Sequence, residues 1–151
     1  MTQLILLEKR SRQVVGTYHL QTMLQALDSP NGSYCGQEFD LEPMRPYFPT
    51  ATECGRACLS ADHRNMKVLI RLWHGIGSFM NLFRQKYLFG CCSLSTIRPE
   101  EGWLAYSYLK RKGRLHPELR LSAIPGFHCR RSAQPPGKEA LDSYALPKLS
   151  K

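Results

Sequence analysis

Residues 52–65 read TECGRACLSADHRN, and the fold turns on how this stretch divides. Residues 51–59 read as a strand ending at Cys58-Leu59, residues 60–65 are polar, and an apolar helical pattern starts near Val68. Leu69, Leu72, Trp73, Ile76, Met80 and Phe83 recur at steps of three and four, the spacing of one stripe along a helix. Arg71, His74, Ser78, Asn81 and Gln85 face elsewhere. Gly75 and Gly77 each weaken such a helix by about 1 kcal/mol relative to Ala, which close approach of the helix to a sheet would offset. Residues 87–93, YLFGCCS, form a short unbroken apolar run, as expected for a strand covered on both faces. Adjacent Cys91 and Cys92 would then point to opposite faces. Strand, loop, helix and strand in this order describe a crossover connection.

Upstream, residues 3–8 (QLILLE) and 14–20 (VVGTYHL) read as two antiparallel strands around the polar turn at residues 9–12. A short helix fits residues 22–27, ended by the Asp28-Ser29-Pro30-Asn31-Gly32 breaker. Residues 34–41 are semi-extended, and Pro43, Pro46 and Pro49 exclude regular structure as far as Thr50. Downstream, Pro99-Glu100-Glu101 opens a second helix with Pro near its first position and acids in its first turn. It runs through Trp103, Tyr106 and Leu109 to a stop at Gly113. Order weakens beyond, toward a Pro/Gly/Lys-rich tail. The expected fold class is α/β, a mixed sheet of α+β character with an antiparallel start and one strand–helix–strand crossover.

The chain of 151 residues suits one domain, and its 42% hydrophobic content supports folding. Charge is segregated. Residues 1–60 carry 5 Lys/Arg against 6 Asp/Glu, net −1, and residues 61–151 carry 16 against 6, net +10. An anionic partner for the second part follows, whether phosphate, acidic protein, membrane surface or nucleic acid. The first twelve residues have too short an apolar run for a signal peptide, and no stretch reaches membrane-spanning length. The expected location is therefore cytoplasmic, with its six cysteines reduced. Cys54, Cys58 and His63 lack a matching second ligand pair, so small buried hydrophobes are the better reading of the cysteines and no metal is expected. Neither a Ser-His-Asp spacing, a Walker loop nor Gly-x-Gly-x-x-Gly occurs, which leaves nucleotide hydrolysis and dinucleotide binding unsupported.

The crossover loop is where chemistry concentrates. A strand running into a helix through a polar loop presents unpaired amides and a helix dipole that favour an anion. Arg64 and Lys67 would add charge to a phosphate held there; the plainer alternative is a helix capped by Asp62 with two solvated cations. Glu53 and Arg56 lie just upstream. Positions three apart on a regular strand point to opposite faces, so the two share a cleft only across a bulge, for which Gly55 is the natural place. On one cleft, Glu53 could hold a substrate ammonium and take its proton while Arg56 holds a carboxylate. A structural ion pair, or two unrelated surface groups, is the competing reading. His19, His63 and His74 default to ordinary surface histidines.

VVGTYHL, GQEFDL, ECGRACLSADHRN, LIRLWHGIGSFM and YLFGCCS, in this order, resemble the ornithine-lipid N-acyltransferases. These hemolysin-like acyltransferases belong to the GNAT superfamily, near the acyl-homoserine-lactone synthases. The resemblance spans roughly residues 3–128 and is most specific over residues 53–93. It implies a GNAT-like core whose sheet splays at a bulge around an acyl thioester, with the pantetheine phosphate on the loop opening the crossover helix. It implies transfer of a (3-hydroxy)fatty acyl group from an acyl-carrier-protein or coenzyme A thioester to the amine of ornithine or a similar amino acid, with no permanently bound cofactor. The family's Glu-x-x-Arg maps onto Glu53 and Arg56 as catalytic residues, and donor binding onto His19, Arg64, Asn65, Lys67 and Trp73, with Leu72 and Gly75 completing the Leu-Trp-x-Gly helix. An acidic carrier protein would dock on Lys110, Arg111, Lys112 and Arg114, with peripheral contact at the inner membrane face.

This sequence departs from the family pattern in three places. His19 stands where the family has Arg, residues 64–68 contain no Gly, and the family's first strand and following helices have no counterpart ahead of residue 1. The expected organisation is a partial acyltransferase domain over residues 1–128, truncated at both ends, and a basic, poorly ordered tail over residues 129–151. Two alternatives remain open: a basic module for nucleic acid or anionic surfaces using residues 109–120 with Arg130 and Arg131, and a non-catalytic remnant. The basic run lacks any aromatic stacking platform, so no specific nucleic acid is expected.

Overall fold

The computed structural model describes residues 2–94, 96–129 and 137–144. It divides into two units, Met1–Cys91 and Cys92–Lys151.

The first unit is built on a four-stranded sheet in the order β1-β2-β4-β5. Strand β1 (Thr2–Leu7) alternates half-buried and exposed positions, the period of a strand with one covered face. It pairs antiparallel with β2 (Val14–Thr22), which pairs antiparallel with β4 (Ala51–Leu59). Between them lie helix α1 (Met23–Leu27) and the two-residue strand β3 (Phe39–Asp40). A capping box starts α1: the Gln25 N–H donates to Thr22 Oγ1 at 3.3 Å, and the Thr22 N–H donates to Gln25 Oε1 at 3.2 Å. Helix α2 (Met66–Leu82) then carries the chain to β5 (Tyr87–Phe89), which lies parallel to β4. The antiparallel start and the single crossover are as the pattern predicts.

Leu20 of β2 and Ile76 and Phe79 of α2 form the core, with Leu4, Tyr18, Cys54, Met80 and Leu88 packed around them. Full burial of a Leu or Ile side chain stabilises by roughly 1.5–3 kcal/mol. Of the two helix glycines, Gly75 meets the sheet: a Cβ there would come within 2.9 Å of the Leu4 side chain. Gly77 has nothing within 4 Å, so the close-approach argument fails for it.

Four expectations need correction. The buried stripe of α2 is Leu72, Ile76 and Phe79, whereas Trp73 and Phe83 are 48% and 43% exposed. Trp73 falls at the stripe's margin, and Phe83 sits past the last helical residue, stacked on Phe79 at 4.5 Å. Residues 35–37 are a 3-10 turn rather than semi-extended. Pro43, Pro46 and Pro49 lie within a 3-10 helix, Glu42–Thr50. Its three-residue turn puts prolines spaced by three along one edge, so the missing donors coincide. Strand β5 is three residues long, not seven, and Tyr87 is 45% exposed, so it is not covered on both faces. Cys91 and Cys92 therefore lie outside the ladder.

The second unit contains α3 (Pro99–Arg111), the two-residue strand β6 (Ser122–Ala123) and α4 (Lys138–Ser143). Pro99 opens α3 and Gly113, with φ of 63°, follows its end, as expected from the sequence. An Arg111–Asp142 ion pair and the Tyr108–Tyr144 edge contact at 5.3 Å hold α3 to α4. Of the expected tail, residues 130–136, with Arg130 and Arg131, and 145–151 lie outside the described residues.

Candidate functional site

Glu53 stands on β4 opposite Gln21 of β2. Its neighbour Cys54 pairs with core residue Leu20, so alternation turns Glu53 to the face away from α2. The side chain is 2% exposed. A buried carboxylate requires donors, and two backbone amides supply them: the Tyr34 N–H reaches Oε2 at 2.9 Å and the Cys35 N–H reaches Oε1 at 2.5 Å. These amides open the 3-10 turn Cys35–Gln37, where a negative charge is favoured.

The strand is bulged at the place where Glu53 and Arg56 would need it in order to share a cleft. Thr17 pairs with Cys58 and His19 with Gly55, so a step of two on β2 faces a step of three on β4. The left-handed residue is not Gly55 but Arg56, with φ of 49°. Its guanidinium lies over the Tyr34 ring, 5.5 Å from the centroid, in a cation–π contact. Glu53 and Arg56 thus meet the same residue, one at its amide and one at its ring, and no ion pair joins them.

The β4–β5 ladder ends at Glu53 and Phe89. Among the described residues no strand pairs with residues 54–59 on the β5 side. Just past the ladder, Gly90 still lies close against β4: a Cβ there would lie 2.1 Å from the Cys54 carbonyl oxygen, so only glycine fits.

The remaining candidates divide by location. His19, partly buried, pairs with Gly55 beside the bulge and shares the Glu53 face. Trp73 lies on the opposite side, edge-on to Tyr18 at 6.5 Å. Arg64 and Asn65 lie between the end of β4 and the start of α2, and Lys67 lies in the first turn of α2. Asn65, not Asp62, caps α2: its Oδ1 accepts the Val68 N–H at 3.1 Å. Arg64 and Lys67 are exposed, with Arg64 Nε donating to the Leu59 carbonyl at 3.4 Å. His63 Nδ1 lies 2.8 Å from Ser60 Oγ, and its Nε2 lies 4.0 Å from the Glu8 carboxylate. No group of three His, Cys, Asp or Glu able to hold a metal ion occurs among the described residues.

Three residues beneath Glu53 escaped the sequence reading. Tyr34 and Cys35 carried no motif, because they lie 19 and 18 residues from the carboxylate they serve. Cys91 approaches Cys35 with its sulfur 3.1 Å away. Burial, then Glu53 and Cys91, pushes the Cys35 thiol far above the ordinary thiol range. Burial and the Glu53 charge also raise Cys54. Both are held protonated at physiological pH, so neither offers the standing thiolate that a covalent acyl intermediate in the transfer reaction would need.

Residues 1–74 match the acetyltransferase (GNAT) domain family. The chain is 31% identical over 145 residues to an L-ornithine N(alpha)-acyltransferase of Rhizobium meliloti, covering 92% of this chain and 48% of that protein. It is 29% identical over 92 residues to the L-ornithine N(alpha)-acyltransferase of Rhodobacter capsulatus, covering 58% of this chain and 35% of that protein. The chain therefore spans about half the length of these relatives or less. No solved structure matches it.

Proposed function

We propose that the chain belongs to an N-acyltransferase acting on the amine of ornithine or a similar amino acid, on the strength of its similarity to the GNAT domain family and to the L-ornithine N(alpha)-acyltransferases. One observation carries this reading: β4 loses its β5 partner after Glu53 and bulges at Arg56, leaving the β5 side of residues 55–59 without a strand partner among the described residues. An extended acyl-thioester arm can lie along such an edge, with main-chain groups as partners.

The acceptor's free amine attacks the thioester carbonyl carbon. The C–N bond forms, the C–S bond breaks, and the thiol leaves with a proton while the amine loses one. Arg56, exposed at the bulge, holds the acceptor carboxylate or the thioester arm. Arg64 and Lys67, at the start of α2, hold the pantetheine phosphate. Glu53 has both oxygens on backbone amides, a geometry that suits positioning of the Tyr34 turn rather than direct proton transfer. The donor is a (3-hydroxy)fatty acyl thioester of acyl carrier protein or coenzyme A. An acidic carrier fits the exposed Lys110, Arg111, Lys112 and Arg114. Action in the cytoplasm or at the inner membrane face belongs to the same proposal; no helix of the described residues is long and apolar enough to cross a membrane.

Thiol release from 3-hydroxyacyl-carrier protein in the presence of ornithine, with the amide product identified by mass, tests the reading. Ornithine-dependent release that is lost in Arg56→Ala is expected. A folded chain that releases no thiol would overturn the reading in favour of a non-catalytic remnant.

A further inference from the structure

Two cysteines that acyl transfer leaves unused stand side by side beneath Glu53. Cys35 and Cys91 are 56 residues apart in sequence, yet their sulfurs lie 3.1 Å apart, and both are free thiols. A disulfide bond is about 2.05 Å long, so the sulfurs need to close only about 1 Å. The two attachments differ in freedom. Cys35 is 4% exposed and its N–H is held by Glu53. Cys91 is partly exposed and lies two residues past the end of β5, outside the ladder, where the backbone can shift.

We propose that Cys35 and Cys91 form a reversible thiol-oxidation site, converted from dithiol to disulfide by a small disulfide oxidant of the glutathione class. The more accessible Cys91 thiolate attacks one sulfur of the oxidant, whose S–S bond breaks, and one glutathione leaves. Cys35, its proton passed to solvent, attacks the Cys91 sulfur of that mixed disulfide and expels the second glutathione. The protein loses two electrons and two thiol hydrogens, and two reduced glutathiones carry them away. Burial raises the Cys91 thiol, so the first exchange is slow at neutral pH and faster in mild alkali, while Cys35 gives up its proton only as it attacks. The bond ties the turn held by Glu53 to the segment leaving β5, beside the open side of β4. This inference rests on the sulfur geometry and stands or falls apart from the acyl-transfer reading.

The test uses the full chain with Cys92→Ser, so that linkage at residue 91 is unambiguous. The reduced protein is incubated with oxidised glutathione at about pH 8.5, blocked with N-ethylmaleimide, digested and mapped by mass spectrometry. The expected product is a Cys35–Cys91 linked peptide pair, two hydrogens lighter than its parts and separated by dithiothreitol. Adding Cys35→Ser, in protein shown folded by circular dichroism, should leave Cys91 as its glutathione adduct. Recovery of Cys35 fully blocked by maleimide, or of Cys91 joined to Cys54 instead, would overturn the proposal.

Discussion

Glu53 and Tyr34 are joined across 19 residues by a hydrogen bond of 2.9 Å from the Tyr34 amide to the Glu53 carboxylate. The same tyrosine offers its ring to Arg56. The Glu-x-x-Arg pair is thus organised around a third residue that no sequence spacing connects to it.

Replacing Glu53 tests how much the fold leans on this bond. Glu53→Gln keeps an acceptor for one amide and turns an NH2 toward the other, leaving a buried donor unsatisfied. The expected loss is about 1–3 kcal/mol, read as a lower urea midpoint. Glu53→Ala orphans both amides and should lose more. Unchanged midpoints would remove the anchoring role.

Arg56→Gly separates stability from function. Glycine accepts the positive φ without strain but adds unfolded-state entropy, and the two effects nearly cancel. Unfolding should change by less than about 1 kcal/mol, while ornithine-dependent thiol release falls at least tenfold. A variant as active as the parent would exclude Arg56 from substrate binding.

Glycine-to-alanine substitutions should act in opposite directions at two sites. Gly90→Ala drives a methyl into the Cys54 carbonyl and should destabilise by about 1–3 kcal/mol or more. Gly77→Ala, in open space on α2, should stabilise by about 1 kcal/mol. Thermal melts of the two variants shifting the same way would contradict the placement of β5 against β4.

The buried Cys35 thiol has a signature in pH. Its folded pKa lies above the ordinary 9.0, so the folded chain keeps a proton that the unfolded chain releases. The stability this contributes is fully present below pH 9 and is lost as pH rises beyond it. Cys35→Ala should flatten that alkaline decline in denaturation midpoints. Below pH 9, iodoacetamide should label exposed Cys58 and Cys92 well before Cys35. Labelling of all three at one rate would show that Cys35 is not buried as described.

The sequence alone determined the elements whose cause is local. Residues 51–59 form the strand at the limits read from the sequence, the Pro99 opening and Gly113 stop bound α3, and the bulge that a shared cleft for Glu53 and Arg56 would need is present in β4. Periodicity and backbone restriction act within a few residues, so they are legible along the chain. What joins distant segments was not. That Arg56 rather than Gly55 takes the left-handed conformation, with its guanidinium over Tyr34, is seen only in the fold. That β5 stops at Phe89 while Gly90 stays packed on the Cys54 carbonyl is a pairing between segments 36 residues apart. TECGRACLSADHRN specifies a bulged strand and a capped helix, but only tertiary packing brings the Tyr34 and Cys35 amides to Glu53, because a buried carboxylate takes its donors from whichever backbone the fold delivers.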